Sequence, residues 1–206
     1  MGTTVSDSGG DFDLIPEDNH LGRCVQVIDL GTQPGSERFP KPQHKLLLGW
    51  ELPECTYEHD GHDVPRLVWR RFTASLSEKG HLRPILESWR SRKFTSEELS
   101  VFDVKNVLGA PCQIQIVHSD DGKYANVKSV SALHQKLREG FPDAHHPLIH
   151  YQIEDGENEI FETFSDNLKR TLRQAEEWQG NEPEGGNPDA WRDGFSDGVD
   201  DSSVPF

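Results

Sequence analysis

The alternation of apolar and polar positions along this chain predicts five β-strands. Each candidate segment is rich in β-branched or aromatic residues and is bounded by Gly, Pro, Asn or Asp, which is typical of strands separated by turns. The predicted strands span residues 21–30, 44–52, 66–74, 112–118 and 123–130.

A helical period replaces the strand period between the third and fourth strands. Leu82, Ile85, Leu86 and Trp89 recur at spacings of three and four, which predicts one apolar helical face within residues 77–89. Ser77 is a candidate N-cap for this helix, and Pro84 suits its first turn if the regular helix begins near residue 82. Thr95 with Glu98 three positions later matches a capping box and predicts a second short helix.

Three strands, a helix and two strands form the element order of the OB-fold, a five-stranded Greek-key barrel. We therefore predict a mainly β (α+β) fold, an OB-fold barrel over residues 14–137 with its helix between strands 3 and 4. SH3-like barrels and other small α+β folds share parts of this order.

The segments outside the predicted barrel differ from it in composition. Residues 1–13 are small and polar and predict a flexible N-terminus, while Gly, Pro and His over residues 138–158 predict a linker. Apolar residues spaced by three and four predict a C-terminal helix over 159–179, either docked on the barrel, which we favour, or free for a partner. Residues 180–206 contain too little apolar surface for a packed core and predict a disordered acidic tail.

Charge is distributed unevenly along the 206 residues. The formal net charge is -15, which by itself argues against a nucleic-acid partner. Residues 20–138, however, hold 17 Lys and Arg against 14 Asp and Glu, whereas residues 139–206 hold 4 against 17. A mildly basic body with an acidic tail suits a protein that binds a polyanion while its own tail competes for the same surface.

Several functional classes find no support in the sequence. There is no apolar run long enough to span a membrane and no basic leader, so we expect a soluble, cytoplasmic protein. Cys24, Cys55 and Cys112 stand far apart, which argues against disulfides, and His145, His146 and His150 lack spaced partners for a metal. Phosphate loops, nucleophile elbows and paired catalytic carboxylates are missing, so we predict neither an enzyme nor a cofactor.

The residue types that bind single-stranded nucleic acid are concentrated in the predicted strands and the first loop. Cationic side chains follow the phosphates and aromatic rings stack on bases, and the third strand offers both. Its two faces each carry one aromatic residue and one arginine, so the alternation does not determine which face is outward. Trp50 suits either the core or a stacking surface. The candidate site comprises Arg38, Lys41, Lys45, Trp50, Trp69, Arg70, Arg71, Phe72, Tyr124, Asn126 and Lys128.

The last residues of the sequence place a small apolar tip behind an acidic stretch. Asp200, Asp201, Val204, Pro205 and Phe206 predict a partner-binding tip, because nothing nearby in the sequence can bury Phe206. This ending resembles the acidic tail of bacterial and phage single-stranded DNA-binding proteins.

Within the predicted barrel, a series of short blocks is similar to a family of phage-encoded proteins of single-stranded DNA-binding type. The blocks are residues 22–32, 50–53, 71–79, 82–83, 86–90, 94–95, 102–103 and 108–109. The resemblance covers about residues 14–131 and implies an OB-fold with a role in phage replication and recombination.

We therefore predict a sequence-independent single-stranded DNA-binding protein that protects DNA in replication, recombination and repair and recruits protein partners through its tip. One alternative is an acidic DNA mimic or adaptor that binds a basic partner. Another is an RNA-binding OB-fold module. The sequence does not determine the oligomeric state, and a homodimer is compatible with it.

Overall fold

The computed structural model describes residues 14–36 and 40–178, and this part of the chain is mainly β. All five predicted strands are present, most of them longer than predicted. The strands are β1 Asn19–Gln33, β2 Gln43–His59, β3 His62–Thr73, β4 Pro111–His118, β5 Ala125–Ser131 and β6 Ile149–Tyr151. The α-helices are α1 Leu82–Arg90, α2 Ser96–Val101, α3 Gln135–Glu139, α4 Glu159–Glu162 and α5 Asp166–Arg173, with 3₁₀ helices at Val104–Val107 and Ile153–Asp155.

The strands form one sheet in the order β3-β2-β1-β4-β5, with antiparallel neighbours. In the described residues the sheet is not closed, because no backbone ladder joins β3 to β5. β1 changes partner along its length: Asn19 to Arg23 pair with β4, and Gln26 to Ile28 pair in parallel with β6. An irregularity between Cys24 and Gln26 lies at the point where the partner changes.

β2 and β3 form a hairpin that extends beyond the bounds predicted from sequence. Pro53 was expected to end the second strand, but an irregularity between Leu52 and Thr56 accommodates it and pairing continues to His59. The turn places Asp60 at φ 50° and Gly61 at φ 77°, the left-handed pair that suits the twist of a two-residue hairpin. The prediction of a longer loop here was therefore wrong.

α1 begins at Leu82, as Pro84 in the first turn indicated, and its N-cap is His81. The prediction that Ser77 is the cap was wrong, since Ser77 lies in a preceding turn whose carbonyl accepts a hydrogen bond from the Gly80 amide. The capping box at Thr95 and Glu98 is confirmed, with both reciprocal hydrogen bonds formed.

The main hydrophobic core lies between the inner face of the sheet and α1. The four apolar positions predicted on α1 are all buried. Trp50 of β2 is fully buried, with its ring centroid 6.1 Å from that of Trp89. Trp89 donates from Nε1 to the Pro111 carbonyl at 3.1 Å, which connects α1 to the start of β4.

A second core covers the outer face of β1 and is built by the C-terminal segment. Ile28 and Leu47 pack there with Tyr151, Phe161 and Leu172, all buried. Docking of the C-terminal segment on the sheet agrees with the favoured prediction. The single helix predicted over 159–179 is instead two helices, α4 and α5, because Ser165 caps a new helix through the Leu168 amide. The predicted linker is also not free of structure, since it contains β6 and a buried 3₁₀ helix.

Candidate nucleic-acid interface

The register of β2 and β3 determines which residues of the hairpin point outward. Trp50 pairs with Val68 and Leu46 with Phe72, and these four residues are buried in the main core. The alternate positions therefore lie on the other side of the sheet. We call this side the outer face, defined by Gln26 of β1, Lys45 and Gly49 of β2, and Trp69 and Arg71 of β3.

Trp69 is the exposed aromatic residue of the outer face, with 39% of its surface accessible. Its Nε1 donates a hydrogen bond to the Gln26 side-chain oxygen at 2.7 Å, so the indole spans β2 between its own strand and β1. Gly49 lies between them in the register. A Cβ at Gly49 would come within 2.8 Å of Trp69 Cδ1 and 2.9 Å of Nε1. The ring therefore lies against the strand because residue 49 has no side chain.

Cationic side chains flank Trp69 on the outer face. Lys45 pairs with Thr73, and its Nζ donates to the Thr73 hydroxyl at 3.0 Å and to the Gln43 side-chain oxygen at 2.7 Å. Arg71, half-buried, pairs in register with Leu47, between the Lys45 and Gly49 positions. A flat ring with a cation on the same surface is the combination that binds a base and its phosphate.

Arg70 occupies a different place from the other predicted site residues. Its Nη1 donates to the carbonyls of Val127 at 3.0 Å and Lys128 at 2.8 Å, and its guanidinium lies 5.1 Å from the centre of the Phe72 ring. Arg70 thus connects β3 to β5 where no backbone ladder does so. We call this junction of β3, α1 and β5 the seam.

Two aromatic residues of the predicted site are core residues. Trp50 is 0% exposed and Phe72 is 4% exposed, so neither can stack on a ligand without unfolding part of the main core. The open question about the third strand is answered in favour of the Trp69 face. Parity alone was insufficient because either face carried an aromatic residue; the pairing of β3 with the apolar positions of β2 decides between them.

The predicted residues of the β4–β5 hairpin do not alternate as expected. An irregularity opposite Gln115 and Ile116 makes Lys128 an extra residue of β5, so that Lys128 and Ser129 are both exposed. Asn126 is half-buried in β5, whereas Tyr124 precedes the strand and its carbonyl accepts from the Ser119 amide. The prediction that Tyr124, Asn126 and Lys128 share one regular strand face was wrong.

The first loop and the tail are described only in part. Lys41 is exposed next to β2, whereas Arg38 lies outside the described residues. The predicted partner-binding residues Asp200, Asp201, Val204, Pro205 and Phe206 also lie outside them.

A buried carboxylate borders the outer face. Glu51 is 1% exposed, and its carboxylate accepts hydrogen bonds from the amides of His145 at 3.1 Å and His146 at 2.9 Å, with His146 Nδ1 at 3.0 Å. Arg23, its register partner on β1, donates to the Pro142 carbonyl at 2.6 Å. Two of the clustered histidines therefore attach the predicted linker to the sheet, and the carboxylate charge is enclosed by donors.

The C-terminal segment ends against the base of the first loop. Glu177 accepts from the Thr32 amide at 2.6 Å and the Thr32 hydroxyl at 2.5 Å, and His44 Nδ1 lies 3.6 Å from Glu177 Oε1. Burial by itself would raise the pKa of Glu177, but these hydrogen bonds outweigh it and lower the pKa. Since Thr32 and His44 pair in register, the described chain ends close to Lys45.

Gln26 is the outer-face residue that the sequence reasoning missed. It is a lone polar residue inside a β-branched run, and such a residue is unremarkable in a strand. The irregularity at Cys24 and Gln26 shifts the alternation of β1, so parity counted from the strand start does not show that Gln26 faces Trp69.

Comparison of the chain with models of protein families, with curated proteins and with solved structures finds no match. Among residues 14–36 and 40–178, no three His, Cys, Asp or Glu side chains are grouped in a way that could hold a metal ion. No helix in the same ranges has the length and apolar character needed to cross a bilayer.

Proposed function

We propose that this protein binds single-stranded DNA without sequence preference, with Trp69 as a stacking surface for a base. The observation that carries the proposal is the exposed indole, held against Gly49 and by Gln26 beside the cationic Lys45 and Arg71. Every base has an aromatic face, so such stacking tolerates any sequence and contributes about 1–3 kcal/mol per base. The mildly basic charge of residues 20–138 favours the same ligand.

We also propose that the fold is an OB-fold. The order β3-β2-β1-β4-β5, with α1 between β3 and β4, is the order of that barrel when it is cut between β3 and β5. The two hydrogen bonds from Arg70 to β5 bring the cut edges together. Oligonucleotide-binding OB-folds use the face of strands 2 and 3 and the loops after strands 1 and 4, which agrees with the position of Trp69 and Lys45.

The proposal is tested by titrating the protein with an oligothymidylate while following tryptophan fluorescence at several salt concentrations. The wild-type signal should be quenched, with an affinity that falls as salt rises. Trp69→Ala should lose about 5- to 150-fold in affinity, the equivalent of one stacked base. Tyr57→Ala is the matched control, because Tyr57 is 38% exposed but lies on the projecting end of the β2–β3 hairpin.

Three outcomes would redirect the proposal. If the wild-type protein shows neither quenching nor salt-dependent affinity, it does not bind single-stranded DNA, and an acidic mimic or adaptor becomes the better description. If double-stranded DNA of the same length binds equally well, Trp69 is not a base-stacking surface. If the ribo-oligomer binds more tightly than the deoxy-oligomer of the same sequence, the module binds RNA.

For the tail we propose recruitment of replication or recombination proteins through Val204, Pro205 and Phe206, with competition between its acidic residues and DNA. Deleting residues 204–206 should leave DNA affinity unchanged and abolish partner binding. Deleting residues 179–206 should raise DNA affinity, because that segment carries many of the acidic residues. Partner binding that survives the short deletion would contradict the recruitment role.

A further inference from the structure

An open cavity of about 240 Å³ lies at the seam, on the opposite side of β3 from the Trp69 ring. β3 contributes Arg70, β5 contributes Lys128 and Ser129, and α1 contributes Ser88, with His81 just before its first residue. Ile85 forms part of an apolar wall. The volume is several times that of a water molecule, which occupies about 30 Å³ in the liquid.

The polar groups of this cavity are those that bind a phosphate. Arg and Lys supply positive charge, His and Ser supply hydrogen-bond donors, and none of the described residues that line the cavity is acidic. That selection is notable in a chain with 36 Asp and Glu against 21 Lys and Arg. Two backbone carbonyls hold the Arg70 guanidinium in place, and since they are neutral they do not cancel its charge.

We propose that the seam cavity binds a backbone phosphate of the same DNA strand whose base stacks on Trp69. This inference rests on the function proposed above. Trp69 and Arg70 are consecutive residues of β3 with side chains on opposite faces, so a strand stacked on Trp69 reaches the cavity by crossing the unpaired edge of β3. The bound strand thereby passes from the outer face to the seam instead of following β2 and β3 to the end of their hairpin.

The salt dependence of binding tests this assignment. For single strands the slope of log affinity against log salt changes by about 0.7 for each phosphate contact, so Lys128→Gln should make the slope shallower by about that amount. At low salt its affinity should fall about three- to ten-fold. Lys105→Gln removes the same charge from an exposed position that does not line the cavity, and it should leave both quantities unchanged.

A second variant pair keeps the test independent of Lys128. Ser88→Asp introduces a carboxylate into the cavity and should weaken oligothymidylate binding at least ten-fold, whereas Ser100→Asp, on exposed α2, should change it less than two-fold. Inorganic phosphate at millimolar concentration and constant ionic strength should not displace the oligomer. Displacement that depends on Lys128 would assign the cavity to a small free anion and overturn the inference.

The outcomes separate the two proposals. If wild type binds and Trp69→Ala weakens binding, but Lys128→Gln and Ser88→Asp behave like their controls, the cavity inference fails and the proposed function stands. If wild type does not bind the oligomer at all, the proposed function fails and takes the cavity inference with it.

Discussion

Trp50 and Trp69 occupy neighbouring register positions on the two faces of the same hairpin, yet they have opposite environments. Trp50 pairs with Val68, is fully buried and packs near Trp89. Trp69 pairs with Gly49, is 39% exposed and lies across the backbone of its neighbour. One step along the strand changes the face, and the size of the paired residue decides whether a ring is enclosed or displayed. The same side chain thus supports the fold in one position and offers a ligand surface in the other.

The largest effect that distinguishes the two tryptophans concerns stability. Trp50→Ala should lower the free energy of unfolding by about 3–5 kcal/mol, because it leaves a cavity in the main core. Trp69→Ala should change it by less than about 1 kcal/mol, since the ring is largely at the surface. Urea denaturation of both variants measures the difference. Equal losses would mean that Trp69 is a structural residue and would weaken its assignment to DNA binding.

Replacing the residue beneath the exposed ring tests the comparison from the other side. Gly49→Val would place a Cβ within 3 Å of the Trp69 ring, so the indole must leave the strand surface and lose its hydrogen bond to Gln26. We expect a loss of oligothymidylate affinity that approaches that of Trp69→Ala, about five-fold or more.

Gly140→Ala is the control for Gly49→Val, since an added Cβ at residue 140 meets nothing within 4 Å. Its affinity and stability should match those of wild type. Wild-type affinity in Gly49→Val would show that the flat position of the indole is irrelevant to binding.

The strands and the faces of β2 and α1 could be predicted because each follows one period without interruption. The predicted α1 stripe is buried, and the four alternating apolar positions of β2 face the main core. Where an irregularity adds a residue, counting fails: the pairing of Gln26 with Gly49 and the exposure of Lys128 both follow one. Alternation contains no information on where a strand bulges.

The second core could not be predicted because it depends on contacts distant in sequence. β6 has only three residues and is held by β1, more than 100 positions earlier. Glu51 likewise fixes His145 and His146 from β2, so a segment with the composition of a linker follows a defined path. Local composition reports the turn-forming residues of such a segment but not the partner that orders it.

The smallest of these effects is a pH dependence that should touch the inner side and spare the outer face. Hydrogen bonds from Arg92, the Thr95 amide and Arg90 lower the pKa of Glu98 to about 2. Arg90 in turn lies 4.3 Å from the Phe94 ring, beside the main core. Because the folded-state pKa lies below that of the unfolded chain, the stabilisation is complete above about pH 4.3 and is lost as the pH falls towards 2.

Glu98→Gln should therefore be less stable than wild type at pH 7 and equal to it near pH 2, by urea denaturation at each pH. The difference should be small, since exposed ion pairs contribute little. The hydrogen bond between Trp69 and Gln26 joins an indole to a neutral amide, so no charge is gained or lost there over this range. Fluorescence of Trp69 in a background with the other tryptophans replaced by Phe, where that protein folds, should stay constant as long as the chain is folded. A stability difference that persists at pH 2 would show that Glu98 acts through packing instead of charge.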